Sequence, residues 1–188
     1  MEATETPLPG LIVITPARFV DKRGFFSESY SRARLAEHGI TNEFVQDNHS
    51  MSGAVGTLRG LHYQTPPHAQ AKLVRCGRGA LYDVAVDIRV GSPTYGQWYG
   101  VELSHENGRQ LFVPVGFLHG FVTREPDTEI IYKCTDYYAP ECDGAVRFDD
   151  PGIGVDWGIS PESAIVSDKD ANAQLLADLD NPFQFGSV

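Results

Sequence analysis

The stretch Thr57-Leu-Arg-Gly-Leu-His-Tyr-Gln64 sets a histidine and an arginine three residues apart around a glycine. Strict strand alternation puts Arg59 and His62 on opposite faces, and Gly60 permits a bulge or bend that turns both toward one cavity. A histidine there has an unperturbed pKa near 6.5 and suits a general base at neutral pH, the competing reading being a hydrogen-bonded structural imidazole. In Gln70-Ala-Lys-Leu-Val-Arg-Cys76, Gln70, Lys72 and Val74 share a face. An inward lysine is costly without an anionic partner. Lys72 is therefore either paired with a carboxylate such as Asp83 or a ligand for a substrate oxygen. Arg75 and Arg78 fall on the other parity or in the turn and read as solvated.

A second histidine sits in Pro114-Val-Gly-Phe-Leu-His-Gly-Phe121, where a Pro/Gly turn leads His119 into a strand. This P-x-G-x-x-H arrangement resembles the second motif of the cupins, small double-sheet β-barrels. The first cupin motif has an echo in Gly56, five intervening residues and His62. Metal-binding cupins continue as H-x-H followed by Glu; here the run is His62-Tyr63-Gln64, with no Glu before Asp83. That donor set is poor for a divalent ion, so no metal and no cofactor is expected. Tyr132 shares a face with Ile130 and Cys134 and reads equally as a core ring or as a functional phenol. Tyr137 and Tyr138 precede Ala139-Pro140 in a loop where an exposed ring can stack on a base or sugar. Arg23 occupies a D-x-R-G turn before Glu28, a pattern usual for a salt-bridged hairpin.

These residues need strands to carry them. Residues 81–89 alternate, with Tyr82, Val84, Val86 and Ile88 on one face and Asp83, Ala85 and Asp87 on the other. Similar short runs occupy 11–14, 43–47, 58–64, 71–76, 97–103, 110–113, 118–123 and 129–136. Helix is expected over 31–38, from Ser31 to Gly39, and over a tail at 168–179 behind Ser167. Many short strands between Gly/Pro turns predict a mainly β, double-sheet jelly-roll barrel with short peripheral helices and a helical C-terminal tail. One domain over 1–188 is expected.

Charge sharpens the picture. The 188 residues hold 15 Lys+Arg against 25 Asp+Glu, a net −10, which disfavours a nucleic-acid surface. Yet residues 48–82 contain no acid and include Arg59, Lys72, Arg75 and Arg78. A cationic island in an acidic chain suits a small anionic ligand. The opening MEATETPLPG lacks an export pattern, and no apolar run approaches the ~20 residues of a membrane span. Cys76, Cys134 and Cys142 form an odd set without a CxxC pair, fitting a reducing cytoplasm.

Taken in order, DKRGFFSESY (21–30), FVQDNHS (44–50), LRGLHYQ (58–64), the long run from Gln70 to Trp98, PVGFLHGF (114–121), YKCTDYYAPECDGAVRFDDP (132–151) and SDKDAN (167–172) resemble the dTDP-4-dehydrorhamnose 3,5-epimerases. The resemblance implies metal-free epimerisation of dTDP-4-dehydro-6-deoxy-D-glucose at the two carbons flanking its ketone. His62 would be the base, oriented by Asp170, with Tyr132 the acid on the opposite face and Lys72 beside the enolate oxygen. It further implies that Arg23, Glu28, Gln46, Asn48, Arg59, His119 and Lys169 hold nucleotide and sugar, and that Tyr138 stacks on thymine. Asp143 stands where relatives often carry Glu. Family members pair as homodimers with exchanged N-terminal strands, so Arg23 and Glu28 would act in the partner's cavity. The alternatives are a 3- or 5-epimerase acting at one carbon, a non-catalytic nucleotide-sugar-binding barrel and a metal-dependent cupin oxygenase.

Overall fold

The structure, a computed structural model, describes residues 1–186. The first strands are β1 (Glu2–Glu5), β2 (Ile12–Thr15), β3 (Arg18–Asp21) and β4 (Gly24–Ser27). Helix α1 (Arg32–Ala36) follows, and then β5 (Gln46–Ser52), β6 (Leu58–Gln64), β7 (Lys72–Arg78) and β8 (Ala80–Asp87). The remaining strands are β9 (Trp98–Ser104), β10 (Gln110–Val113), β11 (Phe117–Thr123), β12 (Thr128–Cys134) and β13 (Asp143–Ala145), ahead of α2 (Asp168–Ala171). Two antiparallel sheets result. One runs β1-β2-β10-β7-β12-β5, the other β13-β6-β11-β8-β9, and β3 and β4 form a separate hairpin.

Alternation explains how the sheets stack. Leu81 and Ala85 of β8 point between the sheets, where they meet Val74 and Cys76 of β7, Leu111 and Val113 of β10, Phe117 and Phe121 of β11 and Ile130 of β12. The opposite face of β8, with Tyr82, Val84 and Val86, is also apolar. It packs with Leu58, Leu61 and Tyr63 of β6 under Val146, Phe148, Trp157 and Phe183. A sheet apolar on both faces must be covered twice, and the segment after β13 supplies the second cover. Each fully buried Leu, Val or Phe adds roughly 1.5–3 kcal/mol from apolar surface removed from water.

The mainly β, cupin-type jelly roll expected from the sequence is the fold observed, with local differences, among them the short strand β13 outside every expected run. Strand β5 lies at Gln46–Ser52 instead of 43–47. The helical tail is shorter than expected. Only Asp168–Ala171 is α-helical, with a 3-10 turn at Leu176–Asp178. Val146 bridges Gln174, and the Leu176 N–H donates to Asp150 Oδ2 at 2.6 Å, so the chain is drawn out to roof the second core. Strand β1, of sequence EATE, carries no apolar alternation and exists through its backbone pairing with β2. By contrast α1 matches its sequence signals. Ser31 Oγ accepts from the Arg34 N–H, Leu35 is buried, and Gly39 takes φ +80° just beyond the end.

Candidate active site

The site residues lie on the inner faces of the two sheets. On the six-stranded sheet, Tyr132 of β12 pairs with Asn48 of β5 on one side and Val74 of β7 on the other. Cys134 pairs with Gln46 and Lys72 in the same way. Because side chains alternate, Gln46, Asn48, Lys72 and Tyr132 all face inward at one end of the sandwich. On the five-stranded sheet His62 of β6 is the register partner of His119 of β11.

Gly60 brings Arg59 to the same side. The pairing of β6 with β11 steps from His62↔His119 to Arg59↔Phe121, so β6 carries one extra residue, a bulge. Gly60 has φ +128°, and a Cβ there would lie 2.6 Å from Gly120 Cα and 2.8 Å from His119 O. Only glycine fits this crossing. The bulge expected at Gly60 is present, and Arg59 and His62 line one cavity of about 450 Å³ with Lys72, His119, Tyr132 and Asp170. An adjoining hollow shares His62, Lys72 and Tyr132 and reaches Gln46, Asn48, Tyr138 and Asp143, with Lys169 on both.

Asp170 arrives from the far end of the chain. Backbone bonds from Leu58 N–H to Ile165 O and from Ile165 N–H to Gly56 O strap this segment along the start of β6. Ser167 then caps α2, its Oγ accepting from the Asp170 N–H at 3.1 Å. The buried Asp170 carboxylate lies 2.7 Å from His62 Nε2 through one oxygen and accepts the Gly60 N–H through the other. Burial works to raise its pKa. The bond and charge of His62 and the Gly60 N–H outweigh burial and hold the carboxyl below the ordinary aspartate range.

Lys72 settles an alternative left open by the sequence. Asp83 is not its ion-pair partner: Asp83 Oδ1 lies 2.9 Å from His119 Nε2, both residues being buried. Among the described residues no carboxylate lies within 4.0 Å of the Lys72 ammonium, which sits 6.0 Å from the centre of the Tyr132 ring. Burial pushes the Lys72 pKa down, against the opposing pull of Cys134, Asp83 and Asp143. Burial also pushes the Tyr132 phenol up. Among the described residues the Arg59 guanidinium is held only by Ser52 Oγ at 3.3 Å and Met51 O at 3.5 Å, leaving its charge available to the cavity. Lys169 pairs with Asp143, whose Oδ2 also accepts from Tyr138 Oη at 3.4 Å.

Arg23 and Glu28 are not brought into this chain's cavity. Arg23 is largely exposed at the β3–β4 turn and pairs with Asp21, while Glu28 pairs with Arg34 at 2.9 Å. Sequence reasoning did not place Ser50 or Phe121 at the site and read Ser167 only as a helix cap, yet all three also line the cavity. Their signal lies in strand register and tertiary contact, not in residue type. Among the described residues, no three His, Cys, Asp or Glu side chains gather as metal ligands.

A family model described as dTDP-4-dehydrorhamnose 3,5-epimerase matches residues 5–178. The chain belongs to the dTDP-4-dehydrorhamnose 3,5-epimerase family. It is 50% identical over 179 residues to the dTDP-4-dehydrorhamnose 3,5-epimerase of Salmonella typhimurium, covering 94% of this chain and 96% of that one. The enzyme of the same name from Sinorhizobium fredii is 49% identical over 176 residues, covering 94% and 90%. A crystal structure of the dTDP-6-deoxy-D-glucose-3,5-epimerase of Legionella pneumophila, in complex with dTDP-4-keto-L-rhamnose, superposes with a TM-score of 0.90 at 48% identity, covering 95% and 94%. The epimerase family thus matches this chain in sequence and in fold over nearly its full length.

Proposed function

We propose that the chain is an isomerase that converts dTDP-4-dehydro-6-deoxy-D-glucose to dTDP-4-dehydro-L-rhamnose, inverting C3 and C5 on the route to dTDP-L-rhamnose. One observation carries the reading: His62 and Tyr132 enter a single cavity from opposite sheets, and Lys72, on the strand next to that of Tyr132, lines the same cavity. A proton alpha to a ketone is acidic because its loss leaves an enolate. Inversion needs a base on one face and an acid on the other.

In this mechanism His62 removes the proton, and Asp170 fixes its tautomer and stabilises the imidazolium that forms. Lys72 offsets the negative charge on the enolate oxygen, an oxyanion contribution worth about 3–4 kcal/mol. Tyr132, protonated because burial holds its pKa high, delivers a proton to the opposite face. These side chains supply base, acid and charge, so the reaction requires no cofactor. Arg59, His119 and Lys169 take the sugar and diphosphate, Gln46 and Asn48 the sugar–nucleotide junction, and Tyr138 the thymine, with Asp143 fixing Lys169 and Tyr138.

The same proposal makes 1–188 one domain working in a homodimer. Support comes from the β3–β4 hairpin, where Phe19, Val20 and Phe26 are 66–78% exposed, an apolar surface suited to a second copy. Arg23 and Glu28 on and beside that hairpin would then reach the partner's cavity. Three free, buried cysteines accord with a cytoplasmic setting.

The test is incubation with the dTDP-4-keto sugar in deuterated water. Deuterium is expected at C3 and C5, and its absence from both ends the proposal. Label at one carbon only would establish a single-site epimerase instead.

A further inference from the structure

Gln64 closes β6 two residues after His62, is buried, and spends its side-chain amide on backbone groups. Its Nε2 donates to His68 O at 2.6 Å and to Tyr137 O at 3.2 Å, while its Oε1 accepts the Ala139 N–H at 3.1 Å. The carbonyl before Tyr138 and the amide after it are therefore gripped by one side chain. The intervening Tyr138 N–H donates to Gln46 Oε1 at 3.0 Å, and Gln46 Nε2 donates in turn to Asn48 Oδ1. Two glutamines from two different sheets thus hold three backbone groups around a tyrosine that is itself 57% exposed.

A loop running from β12 to a 3-10 turn at Pro140–Cys142 has no ladder of its own to fix it. Gln70 Nε2 and the His68 ring bind Asp136 at the start of the same loop, so the stapling is continuous from 136 to 139. With the main chain pinned, the Tyr138 Cα is fixed before any ligand arrives, and only the side-chain torsions of its ring remain to be ordered on binding. Preorganisation of this kind raises affinity by removing the ordering cost from the binding step.

We infer that Gln64 is a positioning residue for nucleotide recognition: it holds the Tyr138 backbone so that the ring is in place for the pyrimidine of the dTDP group. The inference rests on the proposed stacking role of Tyr138. It also ties the nucleotide clamp to the strand that carries His62, which sets the distance between the base-binding ring and the reacting carbons.

The test measures dTDP and inorganic pyrophosphate affinities by calorimetry, with kcat and KM, for wild type, Gln64→Met, Gln64→Glu, Tyr138→Ala and the Gln64→Met/Tyr138→Ala double variant. Each Gln64 variant is expected to weaken dTDP about tenfold and to raise KM in parallel, while pyrophosphate affinity and kcat at saturation stay within threefold. In the Tyr138→Ala background Gln64→Met should add less than twofold. A full additional tenfold loss there, or a parallel loss of pyrophosphate affinity, overturns the inference. Amide exchange on the unmodified protein is a second arm that no folding defect can blur. The Tyr138 and Ala139 amides should be protected without nucleotide, and protection arising only on dTDP binding overturns the inference as well. If Tyr138→Ala itself leaves dTDP affinity unchanged, the stacking role fails and the inference with it. If Tyr138→Ala weakens dTDP and the Gln64 variants do not, the inference alone fails.

Discussion

His62 Nε2 lies 2.7 Å from Oδ1 of Asp170, a carboxylate 108 residues further along the chain whose second oxygen binds the Gly60 N–H beside the histidine. The aspartate is thus locked to the strand it serves. Replacing Asp170 by Asn keeps the shape but removes the charge that fixes the imidazole tautomer and stabilises the imidazolium. We expect kcat to fall about 10³- to 10⁴-fold, on the precedent of triad aspartates in serine hydrolases, with circular dichroism unchanged. Activity within tenfold of wild type would show that His62 works without the dyad.

Tyr132 and His62 face the cavity from different sheets, so their losses should be distinguishable. In Tyr132→Phe the ring still packs, the base still removes a proton, and reprotonation from the opposite face stops. The expected result is deuterium wash-in without inversion, read by proton NMR of recovered substrate. In His62→Asn both wash-in and inversion should vanish. Wash-in that persists in His62→Asn would move the base elsewhere.

The pH dependence of kcat/KM separates Lys72 from Tyr132. Burial lowers the lysine pKa from 10.5 and raises the tyrosine from 10.0. The lysine contributes only while charged, so activity is present at lower pH and is lost as pH rises through its depressed pKa. The tyrosine remains protonated through that range. The alkaline limb should therefore fall below pH 10.5 and move upward in Lys72→Arg, because a guanidinium does not titrate there. A limb unmoved in Lys72→Arg would assign it to another group.

Gly60 tests the architecture. In Gly60→Ala the added Cβ meets backbone of β11 at 2.6 and 2.8 Å, at a φ of +128° that alanine rarely adopts. Overpacking of this kind costs about 1–3 kcal/mol and the disfavoured φ about 1–3 kcal/mol more. Chemical denaturation should show a loss of at least ~2 kcal/mol, and the epimerase rate should fall with it. A loss below 0.5 kcal/mol, as an order of magnitude for neutral surface changes, would mean that the β6–β11 crossing is looser than its geometry implies.

Strands buried on at least one face were readable because period-two alternation reports burial directly, and 58–64, 81–89 and 110–113 coincide closely with β6, β8 and β10. Strand β5, QDNHSMS, was misplaced for the opposite reason. Its inward residues Gln46, Asn48 and Ser50 face a ligand cavity, not an apolar core, so the functional strand carries no hydrophobic signal. The tail misled because DKDANAQLLADLD has helical composition. Its leucines are spent individually on the core beneath them, with Leu176 and Leu179 packing against the second cluster.

Residue types and short-range spacing were enough to mark His62, Lys72 and His119 and to show an acid-free cationic window from 48 to 82 within an acidic chain, while Tyr132 stayed open between a core ring and a functional phenol until the family resemblance gave it a role. They also pointed to Gly60 as a place where β6 is free to bulge or bend. Tertiary structure decided the partnerships. Asp83 takes His119, which leaves the Lys72 charge without an ion-pair partner among the described residues, and Asp170 takes His62. The reason is physical: alternation determines which way a side chain points, but a charge in a low-dielectric interior is governed by what stands opposite. What stands opposite here depends on strand register and on a C-terminal segment folded back more than a hundred residues along the chain.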